Sequence, residues 1–235
     1  MKKFIGMLML AATVTSGVMA QETAETKKKV VKPSRDFVMI QLTYENWSGT
    51  PDNVKIGGIG RGFGAFLCYD FPISKSNFSF AAGIGINNSN IYFDNQLAIL
   101  NSSSSSIKFQ NVDTAANQDL YKKSKLSMTY LEAPFELRFF GDKENRNRGF
   151  KAAIGMHVGL LIGAHSKNKN TVAGPAVVEK VNSKRYMQTW KFAPTARIGW
   201  GNFSVYGSYN LSPMFNNGEG PEVFPYSVGI TITGL

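Results

Sequence analysis

Beyond Arg35 the chain settles into an alternation with a period of two. Val38, Ile40, Leu42 and Tyr44 interleave with Met39, Gln41, Thr43 and Glu45, as in a strand whose two faces meet different surroundings. Phe63, Ala65, Leu67, Tyr69 and Phe71 alternate with Gly62, Gly64, Phe66, Cys68 and Asp70. Phe78, Phe80, Ala82, Ile84 and Ile86 alternate with Ser79, Ala81, Gly83, Gly85 and Asn87. A fourth strand is predicted from Leu126 to Phe140, with Leu131, Ala133, Phe135, Leu137 and Phe139 opposed to Tyr130, Glu132, Pro134, Glu136 and Arg138. Four more follow at about Gly149 to Ala164, Met187 to Trp200, Asn202 to Leu211 and Phe224 to Leu235.

The fifth segment also spells a small-xxx-small helix motif at Gly155, Gly159 and Gly163. Ala152 to Ala164 is too short for a spanning helix and contains His157. As a strand, the glycines join Lys151, Ala153 and His157 on one face, with Phe150, Ile154, Met156, Val158, Leu160 and Ile162 on the other. About 13 tilted residues cover roughly 33 Å, enough for the apolar band of a membrane barrel. Connections alternate between short (Pro72 to Asn77, Gly141 to Arg148, Gly201-Asn202) and long (Asn88 to Lys125, Ser166 to Tyr186). That asymmetry is the one expected of short periplasmic turns and long external loops. The fold predicted is an all-β, eight-stranded antiparallel up-and-down transmembrane barrel with both barrel ends of the chain on the periplasmic side.

Alternation alone does not separate this barrel from a soluble one with the apolar face inside. The less apolar face is mostly Gly, Ala, Ser and Thr, as in Ser227, Gly229, Thr231 and Thr233, whereas water would call for Lys and Glu. The apolar parity also carries aromatic residues at both ends, as headgroup belts require. The periplasmic belt comprises Phe71, Phe78, Phe80, Phe139, Phe150, Trp200 and Phe203; the external belt comprises Tyr44, Phe63, Tyr92, Trp190, Tyr209 and Tyr226. Pro134 and Pro194 fall inside strands, where each removes a ladder donor and is expected to mark a bulge or irregularity.

The run Tyr130-Leu-Glu-Ala-Pro-Phe-Glu-Leu-Arg-Phe139 resembles the YLE-x-P-x-E-L-x-F strand of the PorT-like outer-membrane β-barrel domain family. The resemblance spans about Asp36 to Leu235 and absorbs the proline. It implies an eight-stranded barrel of the Bacteroidetes outer membrane, and for one type of member a part in protein secretion.

Residues 1–20 read as a signal peptide: basic Lys2 and Lys3, apolar Phe4 to Val14, then a small-residue cleavage zone ending at Ala20. Residues 21–35 form a polar periplasmic linker and 36–235 the barrel domain. Cleavage removes two lysines and no acids, lowering the formal charge from +10 to +8. The basic excess collects in linker and loop segments, which suits solubility and attraction to anionic headgroups or glycans and argues against nucleic acid as a partner. A lone cysteine, Cys68, excludes an intramolecular disulfide.

On these parities Glu132, Glu136, Arg138, Lys151, Lys191 and Arg197 point into the lumen from three consecutive strands, where buried charges must pair. A structural ion-pair network plugging the lumen is the first expectation, and a proton or ion path the second. Only His157 and His165 are available for acid–base chemistry, with no G-x-S-x-G element near either. No catalytic residue, cofactor or metal site is therefore assigned. The long loops leave room for contacts with outer-membrane lipid, envelope proteins or surface glycans; oligomeric state is not encoded in any pattern. The functional expectation is a structural or interaction barrel, with an export-machine subunit and a rim-site lipid hydrolase as alternatives.

Overall fold

The computed structural model describes residues 38–234 apart from 102, 113–120, 143–145 and 171–176, so the predicted signal peptide and linker lie outside the described residues. Among the described residues eleven strands form: β1 (Val38–Ser48), β2 (Gly60–Pro72), β3 (Phe78–Phe93), β4 (Gln96–Ile99), β5 (Lys108–Asn111), β6 (Tyr121–Phe140), β7 (Phe150–Asn170), β8 (Val177–Asn182), β9 (Trp190–Trp200), β10 (Phe203–Tyr209) and β11 (Phe224–Thr233). Eight of them close an antiparallel barrel in the order β6-β3-β2-β1-β11-β10-β9-β7, with β6 returning to β7. Closure leaves these strands no free edge, which is how a sheet satisfies its backbone inside lipid. The start of β1 and the end of β11 share one rim, where Met39 faces Thr233, together with the three short turns.

The faces sort as the alternation predicts. Met39, Gln41, Phe66, Cys68, Asp70, Glu132 and Glu136 are buried inside, while Leu42, Leu67, Ile84, Ile86, Phe135, Leu137, Ile154, Ile198 and Val205 are exposed on the outer wall. Three observed strands outrun their predicted ends: β3 continues to Phe93, into the connection expected from Asn88, and β6 and β7 extend furthest. β6 has 20 residues and β7 has 21, so at a barrel tilt each reaches about 50 Å, roughly twice the apolar band. Their upper halves stand above it. There β7 gains β8 along the edge that β9 has left, since Lys167 pairs with Lys180. In the long connection after β3, β4 and β5 form a separate hairpin.

The prolines interrupt pairing without shifting it. Toward β3, the ladder skips from Ala82–Phe135 to Gly85–Glu132 in unchanged register, so Pro134 removes rungs but adds no residue. Pro194 sits where the β9–β10 ladder stops at Thr195–Ser208, and Leu211 N–H then donates to Phe192 O at 2.8 Å. A register shift lies away from both prolines: Tyr130 faces Leu161 but Thr129 faces Gly163, which leaves Ile162 as an extra residue in β7. Such a bulge reverses which parity faces inward. Gly163 therefore does not continue the luminal glycine face. Above it Ala164, Ser166 and Asn168 are buried, and Lys167 and Lys169 are exposed.

Candidate functional site

The lumen is filled in two tiers. Near the turn end, Arg138 on β6 donates from Nη1 to Asp70 Oδ1 at 2.8 Å and from Nε to Glu136 Oε2 at 2.7 Å. Arg197, reaching across from β9, donates from Nη2 to the same Glu136 oxygen at 2.9 Å. Arg146 folds back from the β6–β7 turn to Asp70 Oδ2 at 3.2 Å, its guanidinium 4.9 Å from the Phe140 ring centre. Lys151 Nζ donates to Thr233 Oγ1 at 3.1 Å. Charge-assisted bonds of this kind are what make buried guanidinium and carboxylate groups tolerable.

The second tier lies nearer the loops. Glu132 accepts from Lys191 Nζ at 2.8 Å and stands 3.0 Å from His157 Nδ1, while the Lys191 ammonium lies 5.3 Å from the Tyr130 ring centre. Glu45 accepts from the hydroxyls of Ser89 (3.1 Å) and Ser227 (3.3 Å), and from Thr43. Glycine makes room for both tiers. A Cβ on Gly155 would strike Phe135 O and come within 2.9 Å of Glu136 Cα; one on Gly62 would strike the Glu45 carboxylate and the Thr43 hydroxyl. A void of about 10 Å³ beside Glu45, Tyr130 and Lys191 is about the size of one water molecule.

Of the sequence-assigned luminal residues, Glu136, Arg138 and Arg197 share one cluster and Glu132 and Lys191 another, while Lys151 lies at the turn-end rim with Thr233. Asp70, Glu45 and His157 lie on the inner parity in the sequence and join these tiers in the structure, beyond the six charged residues expected there. Arg146 comes from a turn, where periodicity says nothing. All belt residues take the outer parity. At the turn end, Phe71 and Phe80 are opposite in register, as are Phe78 and Phe139, Phe150 and Trp200, and Trp200 and Phe203. At the loop end Tyr209 faces Tyr226, and Trp190 faces Leu160.

Above the charged tiers the interior changes character. Trp47, Phe93, Leu126, Met128, Tyr186, Met214 and Phe215 belong to one buried apolar cluster built from the upper strand halves and the loops. Trp47 meets Phe93 and Phe215 edge-on at 5.8 and 5.9 Å, in the geometry aromatic quadrupoles favour. The loops are also tied by polar bonds. Gln96 Nε2 donates to Asn53 O at 2.7 Å, Ile107 N–H to Glu219 O at 2.8 Å, and Tyr186 Oη to Ser104 O at 3.0 Å. A groove of about 760 Å³ opens among Pro51, Ile99, Lys108, Phe109 and Pro221.

His165 and Ser166 take opposite faces of β7, with Ser166 buried inward, so they form no dyad. Among the described residues no cluster of three His, Cys, Asp or Glu side chains is placed to hold a metal.

Solved structures similar to the chain include Ail, the attachment invasion locus protein of Yersinia pestis, crystallised with the heparin analogue sucrose octasulfate. It is 12% identical over 86% of this chain and 97% of Ail, with a TM-score of 0.41. Ail in a phospholipid bilayer nanodisc is 14% identical over 84% and 99%, with a TM-score of 0.34. A porin mutant of Rh. blastica is 9% identical over 85% and 98%, with a TM-score of 0.19. No curated protein sequence matches the chain. A family model for the outer membrane protein beta-barrel domain matches residues 10–216. With most of its length under that model and its strands closed into an eight-stranded barrel, the chain is an outer-membrane protein and belongs to the outer membrane protein beta-barrel domain family.

Proposed function

We propose that this barrel is plugged and acts through its external cap, as a structural or interaction protein of the outer membrane. The observation that carries the reading is the contrast between interior and cap. Ion pairs occupy the lumen, and an apolar core ties the loops over its mouth while leaving a groove of about 760 Å³ on the outer side. An eight-stranded barrel is just wide enough for side chains to fill it, so paired charges there stop bulk flow. The partners proposed are envelope proteins or surface glycans, met by the cap, and the aromatic rows of the outer wall mark the two headgroup levels. Within its family the chain is proposed to be PorT-like, on the Tyr130 to Phe139 run, with residues 1–20 as signal peptide and 21–35 as periplasmic linker.

Val112 N–H donates to Asn95 O at 2.9 Å and closes the neck of the β4–β5 hairpin, so excising Gln96–Asn111 joins two ends that already touch. Crosslinking on intact cells should capture a partner with the full chain and lose it with the excised one. An excised barrel that assembles, shifts on heating in a gel and keeps every crosslink would overturn the reading.

A further inference from the structure

Once the bulge at Ile162 has reversed the parity of β7, the outer wall changes chemistry. Below it the wall carries Ile84, Ile86, Leu131 and Ile162; above it, one rung across four strands reads Tyr92, Lys125, Lys167, Lys180. The rung beneath, from β2 to β8, reads Arg61, Asn90, Ser127, His165, Asn182. Strands lie about 4.8 Å apart, so three lysines occupy roughly 10 Å of wall, with like charges directly opposite each other. Lys125 donates to Asn90 Oδ1 at 2.7 Å, and its ammonium lies 6.0 Å from the Tyr92 ring centre, which fixes the rung to the external aromatic row. Glu179 offers no relief, because it alternates with Lys180 and takes the other face of β8. Asp94, exposed, lies past the end of β3 and beyond Tyr92.

We propose that Lys125, Lys167 and Lys180, flanked by Arg61 and His165, form a site on the outer wall for the phosphate groups of outer-leaflet lipid headgroups. The site stands at the height where the wall passes from alkyl to aromatic to cationic side chains, and only a headgroup meets all three. A multiply charged anion bridging the rung neutralises neighbours that otherwise repel. Both the Lys125 ammonium and the His165 imidazole are pushed below their ordinary values, first by burial and then by the positive charge of neighbouring lysines. The proposal rests on the membrane placement of the barrel and is independent of what the cap binds.

The test uses the full-length barrel in phosphatidylcholine vesicles, comparing association of spin-labelled phosphatidic acid with that of spin-labelled phosphatidylcholine. Each lysine near a membrane surface is worth about fivefold in anionic-lipid affinity, so Lys125→Gln/Lys167→Gln/Lys180→Gln together should lose selectivity on the order of a hundredfold. The triple arginine variant should keep it. A control triple, Lys55→Gln/Lys75→Gln/Lys184→Gln, removes the same charge elsewhere and should leave selectivity intact. Lys167→Gln alone gives a second readout: in zwitterionic detergent it should raise the barrel's unfolding temperature, and phosphatidic acid should stabilise it less than wild type. Undiminished selectivity in the glutamine triple, or equal loss in the control triple, overturns the site. So does binding of soluble dextran sulfate that depends on the three lysines while lipid selectivity does not.

Discussion

Glu136 is the joint on which the turn-end tier depends, because Arg138 and Arg197 both donate to it from opposite sides of the lumen. Glu136→Ala takes a carboxylate from Arg197 and another from Arg138, whose bond to Asp70 remains, and both guanidinium groups stay buried. Breaking a buried pair by removing one partner costs about 3–5 kcal/mol, since the remaining charge has lost its solvent and its counter-charge together. With a urea slope of about 2 kcal/mol per molar, the unfolding midpoint should fall by about 2 M. Glu136→Gln keeps the volume and one acceptor oxygen, so its loss should be nearer 2 kcal/mol, the worth of hydrogen bonds to a charged group. Glu136→Leu/Arg197→Met removes both members and should recover most of the loss, because apolar replacements of a buried pair are often neutral. Urea titration in lipid vesicles suits the measurement, with emission from Trp190 and Trp200 on the outer wall as the signal. A midpoint for Glu136→Ala within about 0.3 M of wild type, or a double variant as unstable as the sum of the singles, would refute the argument.

Reconstituted in planar bilayers, the protein should pass far less current than a general porin; large water-filled channels would contradict a filled lumen. Gly155→Val should block assembly, judged by loss of heat-modifiable migration, whereas Gly163→Ala should assemble normally, because the nearest side-chain atom to its new Cβ is 4.0 Å away. Phe215→Ala should cost the cap about 3–5 kcal/mol, read as faster proteolysis of the loops while the barrel still shifts on heating; uniform destabilisation of both would contradict a separate cap core. His165 has an ordinary value of 6.5, lowered by burial and then by Lys180, Lys125 and Lys167. Because the unfolded chain then binds more protons, its contribution is whole above 6.5 and is lost as pH falls toward the depressed folded value. An NMR titration should find this imidazole neutral below 6.5, and Lys180→Gln should move it back upward; an unmoved titration would contradict the assignment of cause.

The parity of the barrel strands below the bulge was legible because lipid and a crowded lumen demand opposite things of alternate residues. Leu67 beside Cys68 and Ile84 beside Gly83 carry that demand in the open. Asp70 was legible in principle, as a carboxylate on a face otherwise built of small and apolar residues. Arg146 was not, because a turn has no period and only the folded chain shows the arginine returning to Asp70. The bulge was masked by its own composition: Leu160, Leu161 and Ile162 are all apolar, so the step from one phase to the other leaves no polar mark. The prolines were legible in part: the interrupted ladders were expected, and the absence of a bulge was not. A missing donor shows in the sequence, but whether the chain also adds a residue is decided by the opposing strand. The β4–β5 hairpin and β8 belong to the cap, where a one-sided apolar core and short strands weaken the alternation.

The extra residue at Ile162 has an evolutionary reading. It is a joint between two design problems written on one strand, since β7 below it must satisfy oil outside and ions inside, and above it must satisfy a polar surround outside and the loop core inside. Substitutions accepted on one side of the joint obey rules inverted on the other. The hood can therefore drift toward new surfaces while the wall in the bilayer stays fixed, and losing that one residue would turn the upper strand inside out.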